Sequence, residues 1–271
     1  MIGKTYASAD WHGCGKIGKQ ILDYLQPEDT LYFLGDAMDR GRDGFELFKL
    51  LITRPNTVYL KGNHEDMMYK AIKEQKGFFE ERGYVDWSGW DTSLWFGNGG
   101  ADTLIPIAKG EASFKDFINI MPELNSLPTY AEYYSLEGNH KVILEHAGHT
   151  PFNMDLHKHD PLWDRDHFHD SWAIEEPTLE QKDTYLVHGH TPVQFLKYEY
   201  GYRSQPQLTA QEFENKIAWM KKADFKEDPM AIRYCDGHKF DIDLCTIASK
   251  RGVLLDLDTF QEIYFDENGV C

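Results

Sequence analysis

Five short stretches of this sequence share one pattern, an apolar strand-like run that stops abruptly at small, acidic or imidazole-bearing residues. The runs are TYASAD (5–10), TLYFLGD (30–36), TVYLKGN (57–63), KVILEHAG (141–148) and DTYLVHGH (183–190). Runs of this length, rich in β-branched and aromatic residues, are typical of buried parallel strands. Helix-like segments at 16–26 and 43–53 separate the first three runs. The alternation predicts βαβ units with right-handed crossovers and an α/β fold class.

The remainder of the chain follows other patterns. Residues 66–130 consist of aromatic, amphipathic stretches that predict a mainly helical insert covering one end of the sheet. Beyond residue 196 the order of elements is less regular, with a helix expected at 209–223 and a closing antiparallel hairpin at 252–267. We therefore expect a single domain over residues 1–271, with the insert at about 66–130 and a C-terminal segment at about 196–271.

Composition excludes several classes of protein. The chain has 271 residues, of which 41% are hydrophobic and 14% aromatic, as in globular proteins. A net charge of −17 disfavours a long nucleic acid as partner, since binding its phosphates needs a basic face. No run reaches the roughly 20 apolar residues of a membrane span, and the start of the chain lacks the apolar core of a signal peptide. We expect a cytoplasmic protein with no membrane partner.

The polar residues that end the five runs are candidates for one shared site, because the carboxyl ends of neighbouring strands lie at the same edge of a sheet. Each residue alone could be an ordinary helix cap or core histidine. Their coincidence at five strand ends favours a site with oxygen and imidazole ligands, which suits Mn, Fe, Zn or Ni. Two such ions a few ångström apart are the arrangement used in phosphoryl hydrolysis. Asp36 is the natural bridging ligand, Asp10 and His12 can bind one ion, and Asn63, His146 and His190 the other.

The motifs that carry these residues also identify a family. DWHG, GDAMDRG, GNHE, HAG and HGHTP, in this order, resemble the phosphoprotein phosphatase branch of the calcineurin-like metallophosphoesterases, in its bacterial and phage-like form. The resemblance covers residues 5–66 and 141–193, and NGGADTL (98–104) and LWDRD (162–166) extend it. It implies the calcineurin-like metallophosphoesterase fold, with central β-sheets flanked by helices.

The resemblance also implies roles for individual residues. It implies two divalent metal ions, with Mn the preferred metal and Fe, Zn or Ni as alternatives. Asp10, His12 and Asp36 would bind one ion, and Asp36, Asn63, His146 and His190 would bind the other. His64 resembles the general acid and Asp39 the residue that orients its ring, while Arg40 and Arg165 resemble the arginines that hold the phosphoryl oxygens. The implied reaction is hydrolysis of a phosphate monoester by in-line attack of a metal-bridging hydroxide, without a covalent phosphoenzyme.

The substrate is less constrained than the chemistry. A serine/threonine protein phosphatase, acting on a phosphorylated protein or a small phosphoester, is the leading hypothesis. Glu65 in GNHE favours it, since the dinucleoside tetraphosphate hydrolases more often have GNHD. The alternative is a hydrolase of dinucleoside polyphosphates or nucleotide-capped RNA, for which tryptophans 87, 90 and 95 could stack a base, although core packing of the insert is the commoner explanation for such a cluster. A more remote alternative is an inactive metal-binding scaffold.

The histidine-rich segment 155–170 is expected to be a solvated loop rather than a third metal site.

Overall fold

A computed structural model of the protein describes residues 3–135, 137–148, 160–165, 182–195, 229–234 and 237–271. Within these residues the strands form two sheets, of six and five strands. In chain order they are β1 (Thr5–Ser8), β2 (Thr30–Phe33), β3 (Thr57–Tyr59), β4 (Tyr130–Ser135), β5 (His140–Glu145), β6 (Thr184–His188), β7 (Ile232–Tyr234), β8 (Lys239–Asp241), β9 (Gly252–Asp256), β10 (Glu262–Asp266) and β11 (Gly269–Val270).

The first sheet has the order β11-β10-β9-β1-β2-β3. Strands β1, β2 and β3 are parallel, as the alternation of strand and helix predicted. Strand β9 pairs antiparallel with β1 and β10 pairs antiparallel with β9, with Leu255 opposite Glu262, so the expected closing hairpin is confirmed. The parallel half of this sheet carries three of the polar strand ends at one edge.

The second sheet has the order β4-β5-β6-β8-β7. Strands β5, β6 and β8 are parallel to one another, and β4 and β7 pair antiparallel at the two edges. The strand ends that carry His146 and His190 therefore belong to this sheet rather than to the one that carries Asp10 and Asp36.

Helices occupy the connections between strands. The long stretch between β3 and β4 is helical, as predicted for the region from residue 66 to 130. In the part of the chain that the structure describes, the numbered helices are α1 (Gly15–Tyr24), α2 (Gly44–Thr53), α3 (Asn63–Arg82), α4 (Trp90–Gly97), a 3-10 helix (Gly100–Leu104), α5 (Ile105–Ala108), α6 (Phe114–Asn119), α7 (Met121–Ser126) and α8 (Thr246–Ser249).

The first sheet is buried on both faces because its side chains alternate between two cores. Leu31 and Phe33 of β2 pack in a core with the helices, which also holds Leu47 of α2 and Met68 of α3. The other core includes residues from both sheets, among them Ala7, Leu34, Val142, Val187 and Leu255. The two sheets thus face each other across an apolar layer, and their polar strand ends lie on the same side of it.

Several expectations fall outside the described residues, namely the helix at 209–223 and the four histidines of segment 155–170. No helix among the described residues is both long enough and apolar enough to cross a membrane.

Candidate metal centre

The residues that follow β1, β2, β5 and β6 lie together with the first residues of α3. All of the predicted site residues except Arg165 contact another member of the set. The complete set is Asp10, His12, Asp36, Asp39, Arg40, Asn63, His64, His146, Arg165 and His190. The predicted convergence of strand ends is therefore present, although it draws on two sheets.

Six of these residues have a left-handed backbone, which is uncommon for residues other than glycine. Their φ angles are 55° at Asp10, 43° at His12, 60° at Asp36, 68° at Asp39, 61° at Arg40 and 71° at His190. Backbone hydrogen bonds hold the turns after β1 and β2 against each other, from Asp10 N to Gly35 O at 3.1 Å and from His12 N to Asp36 O at 3.0 Å. The turns end β1 at Ser8 and β2 at Phe33, and such strained backbone is typical of functional sites.

Asp36 lies at the centre of the site. Its Oδ1 accepts a hydrogen bond from the backbone N–H of His64 at 3.0 Å. Its Oδ2 faces the imidazoles, at 3.6 Å from His12 Nε2, 3.8 Å from His64 Nε2 and 3.5 Å from His146 Nε2. One oxygen of Asp36 is thus used to anchor the start of α3, and the other is directed towards both sides of the site.

Two groups of potential metal ligands share Asp36. The first consists of His12, Asp36 and His64, and the second of Asp36, His146 and His190, with the ligand atoms of each group within 4.8 Å of one another. Asn63 joins the second group, since its Oδ1 lies 2.9 Å from His146 Nε2 and 3.1 Å from His190 Nδ1. All of these side chains are buried.

Asp10 completes the first group. Its Oδ1 lies 3.9 Å from His12 Nε2 and has no hydrogen-bond partner although it is buried. Its Oδ2 accepts the backbone N–H of His190 at 3.1 Å. Burial, with Asp243 and Asp36 nearby, raises the pKa of Asp10 well above its usual value. A cation beside the carboxylate would reverse that shift.

The hydrogen bonds of the imidazoles fit cation binding. Nδ1 of His12 lies 3.1 Å from the carbonyl of Met38, and Nδ1 of His146 lies 2.7 Å from the carbonyl of Leu34. Each Nδ1 therefore carries the proton, which leaves the lone pair of Nε2 directed at the site. His190 Nε2 is buried without a hydrogen-bond partner. Unpaired carboxylate and imidazole acceptors that converge in a buried site are the donor set of a divalent transition metal.

The charges of the site support this arrangement. Burial acts to raise the pKa of Asp36, while the positive charge that His146, His64 and His12 carry when protonated acts to lower it by more, so the net shift is downward. Burial lowers the pKa of His12, His146 and His190. These three imidazoles are therefore neutral at pH 7, which is the form that binds a metal ion.

His64 belongs to a second network. Its Nδ1 lies 2.7 Å from Oδ2 of Asp39, and the same oxygen accepts the indole N–H of Trp95 at 2.8 Å. Oδ1 of Asp39 accepts the hydroxyl of Thr103 at 2.5 Å. Burial acts to lower the pKa of His64, yet Asp36 and Asp39 raise it by more, so the net shift is upward. Trp95 is fully buried and holds this network, so it offers no surface for stacking a base.

The two arginines lie at the solvent-exposed edge of the site. Arg40 donates to Nε2 of His12 and to Nε2 of His64, both at 2.9 Å. Its backbone N–H donates to the carbonyl of Gly99 at 3.0 Å. Arg165 donates from Nε to the hydroxyl of Thr191 at 3.1 Å, and its charge interacts with Arg40 and Asp36.

Sequence reasoning did not single out Trp95, Thr103 or Glu65 as parts of the site. Trp95 and Thr103 contact Asp39 from 56 and 64 residues further along the chain. Glu65 is fully buried and accepts hydrogen bonds from the backbone of Asp36 and Ala37. An ionisable residue inside the GNHE motif was the available signal for Glu65, whereas nothing in the local sequence indicates the two contacts to Asp39.

Comparisons with known proteins show what the whole chain is similar to. The profile of the family described as calcineurin-like phosphoesterase matches residues 3–240. Serine/threonine-protein phosphatase 2 of Salmonella typhimurium is 26% identical over 195 residues, which cover 69% of this chain and 78% of that protein. The symmetrical bis(5'-nucleosyl)-tetraphosphatase of Xanthomonas campestris pv. campestris is 34% identical over 65 residues, or 22% of this chain and 20% of that protein. A solved structure of a candidate diadenosine tetraphosphatase shares the fold with a TM-score of 0.53 and 15% identity, covering 97% of this chain and 93% of that one.

Proposed function

This chain belongs to the calcineurin-like phosphoesterase family, whose members are metal-dependent phosphoester hydrolases, and we propose that it is a two-metal phosphomonoesterase acting on phosphoserine and phosphothreonine in proteins. The observation that carries the proposal is the position of Asp36 Oδ2, 3.6 Å from Nε2 of His12 and 3.5 Å from Nε2 of His146. The similarity to a serine/threonine-protein phosphatase over 69% of the chain supports the choice of substrate.

We assign the metal ligands as two sets that share Asp36. Asp10, His12 and Asp36 would hold one ion, and Asp36, Asn63, His146 and His190 the other, while His64, which also lies within reach of the first position, is kept for the proton transfer. Mn²⁺ is our choice of ion, and Fe, Zn or Ni suit the same ligands. Two divalent ions held by these residues would lower the pKa of water and offset the negative charge of a phosphoryl group.

His64 is the proposed general acid. Hydrolysis forms a bond from a water oxygen to phosphorus and breaks the bond from phosphorus to the seryl or threonyl oxygen, which then needs a proton. As the general acid His64 would carry this proton on Nε2, the atom that Arg40 now contacts at 2.9 Å, and the upward shift of its pKa favours the protonated ring. Asp39 fixes the ring by accepting from Nδ1 at 2.7 Å.

Arg40 and Arg165 are the proposed phosphate-binding residues. A guanidinium group offers two parallel N–H donors that match two phosphoryl oxygens. Both arginines lie at the exposed edge of the site and can reach an incoming ester, whereas the candidate metal ligands are buried. Their positive charges also attract the phosphate group in a chain whose net charge is −17.

The experiment that tests this proposal compares turnover of the Mn-loaded protein on a phosphothreonine peptide and on diadenosine tetraphosphate, with metal-stripped protein as the blank. We expect the peptide to be dephosphorylated faster. His64→Asn should lower that rate by about 100-fold or more, the usual loss when a general acid is removed. His140→Asn is the matched control, because His140 of β5 bonds through Nε2 to the carbonyl of Leu257 in the turn after β9, and neither residue is part of the site. A His64→Asn variant as fast as wild type would refute the assigned general acid.

Hydrolysis of dinucleoside polyphosphates or of nucleotide-capped RNA is the second candidate. The 34% identity to a bis(5'-nucleosyl)-tetraphosphatase favours it, but over only 65 residues. Faster cleavage of diadenosine tetraphosphate in the same assay would transfer the assignment to this reaction. No measurable turnover of either substrate by a protein that binds metal would instead indicate an inactive scaffold.

A further inference from the structure

The carboxylate of Glu65 lies beside the site and contacts the backbone, not the side chain, of the candidate ligand Asp36. The side chain is fully buried. Its Oε2 accepts the backbone N–H groups of Asp36 and Gly62, both at 2.8 Å. Its Oε1 accepts the N–H of Ala37 at 3.0 Å and the hydroxyl of Tyr59 at 2.8 Å. Four donors occupy the four acceptor positions of one carboxylate.

These hydrogen bonds fix the turn that presents Asp36. Gly35 has φ of 97° and Asp36 has φ of 60°, so consecutive N–H groups at Asp36 and Ala37 converge on a single anion. Converging backbone N–H groups of this kind form an anion-binding nest. Glu65 fills the nest from the first turn of α3, and therefore joins the end of β2 to the start of that helix.

The same two segments are joined in the opposite direction. The backbone N–H of His64 donates to Oδ1 of Asp36 at 3.0 Å. This bond directs Oδ2 of Asp36 towards His12 and His146. The side chain of Asp36 thus holds the start of α3, while Glu65 on α3 holds the backbone of Asp36.

We propose that Glu65 is a positioning residue for Asp36. It fixes the position of the Asp36 carboxylate, which the two groups of metal ligands share, before any metal ion binds. The inference rests on the proposed two-metal function. Aspartate at this position would be one methylene too short to reach Asp36, Ala37, Gly62 and Tyr59 together. Glutamine would replace one carboxylate oxygen with an NH₂ group, which cannot accept the hydrogen bonds that this oxygen accepts now.

The test is Mn²⁺ binding measured by isothermal titration calorimetry on metal-stripped protein, at pH 8, above the pKa of Glu65, which burial and Asp36 raise to about 7. We expect Glu65→Gln and Glu65→Asp each to raise the dissociation constant for Mn²⁺ by about 10- to 100-fold, the usual effect of removing a group that orients metal ligands. The electron paramagnetic resonance signal of two exchange-coupled Mn²⁺ ions should disappear at concentrations that saturate the wild-type protein.

Asp29→Asn is the matched control. Asp29 is another buried carboxylate that accepts backbone N–H groups, from Lys4 at 2.8 Å and Gln26 at 2.9 Å, but it precedes β2 at the end away from Asp36. This variant should lose stability and keep the wild-type Mn²⁺ affinity. If Asp29→Asn and Glu65→Gln lose Mn²⁺ affinity equally, Glu65 acts only through the stability of the fold, and the proposal is overturned.

Two further results keep the inference separate from the proposed function. Wild-type affinity in either Glu65 variant overturns the positioning role while leaving the two-metal site intact, whereas a wild-type protein that binds no Mn²⁺ overturns the two-metal function itself. If neither Glu65 variant folds, Tyr59→Phe removes one of the four donors and should weaken Mn²⁺ binding roughly 2- to 10-fold. Unchanged affinity in Tyr59→Phe would then contradict the proposal.

Discussion

Nδ1 of His64 and Oδ2 of Asp39 are 2.7 Å apart, and neither side chain is exposed to solvent. Burial alone would favour the neutral imidazole, but Asp36 and Asp39 raise the pKa of His64 above its usual value. The protonated form is therefore more stable in the folded protein than in the unfolded chain. This contribution to stability is fully present below the unfolded pKa of about 6.5 and is lost as the pH rises through the higher folded pKa.

Replacing Asp39 with asparagine should shift the pH dependence of activity. The amide carries no charge to stabilise the imidazolium, so the pKa of His64 falls and the alkaline limb of the kcat/KM profile should move to lower pH by roughly one unit or more. The measurement is the pH profile of phosphopeptide hydrolysis by the Mn-loaded protein. An alkaline limb at the same pH in Asp39→Asn and wild type would contradict the role of Asp39.

Trp95→Phe isolates the indole hydrogen bond to Asp39. Phenylalanine keeps an aromatic ring in the core but leaves Oδ2 of Asp39 without the donor now 2.8 Å away. We expect a loss of about 1–3 kcal/mol in the free energy of unfolding, measured with urea, and a fall in kcat of about 10-fold. Mn²⁺ affinity should not change, since Trp95 contacts none of the assigned ligands, and a weakened affinity would show that its effect reaches the metal site.

Gly99→Ala tests the placement of Arg40. Gly99 has φ of 97°, and a Cβ atom there would lie 2.8 Å from Cγ of Arg40. The substitution should displace Arg40 and raise KM for a phosphorylated peptide, with a strain cost of about 1–3 kcal/mol in stability. Gly97→Ala is the control, since a Cβ at Gly97 meets nothing within 4 Å. Equal KM values for the two variants would contradict the proposed phosphate contact.

Metal addition should stabilise the protein against unfolding. A ligand that binds only the folded state at 100 times its dissociation constant adds about 2.7 kcal/mol, so Mn²⁺ should raise the melting temperature and a chelator should reverse the rise. The same titration of His146→Ala should give a smaller shift. If adding Mn²⁺ does not change the melting temperature of the wild-type protein, the result would contradict the proposed metal site.

The sequence predicted the parallel strands, the hairpin at 252–267 and the convergence of strand ends, because each depends on a local pattern of apolar and polar residues. The resemblance of GNHE and its companion motifs to a known family led to the family that the comparisons support. The roles assigned to individual site residues stay predictions. The contacts of Asp39 with Trp95 and Thr103 could not be predicted, because they span 56 and 64 residues and depend on how α4 and the 3-10 helix pack. The left-handed backbone of residues such as Asp10 and Asp36 could not be predicted either, because the pattern of apolar and polar side chains does not encode it.

We propose above that one carboxylate, Asp36, serves two metal ions. The most direct test is the number of Mn²⁺ ions bound per chain in wild type and in Asp36→Ala, determined by equilibrium dialysis with metal analysis. We predict two ions for the wild-type protein and loss of tight binding at both positions in the variant. A wild-type protein that binds one ion, or an Asp36→Ala variant that retains two, would contradict the account.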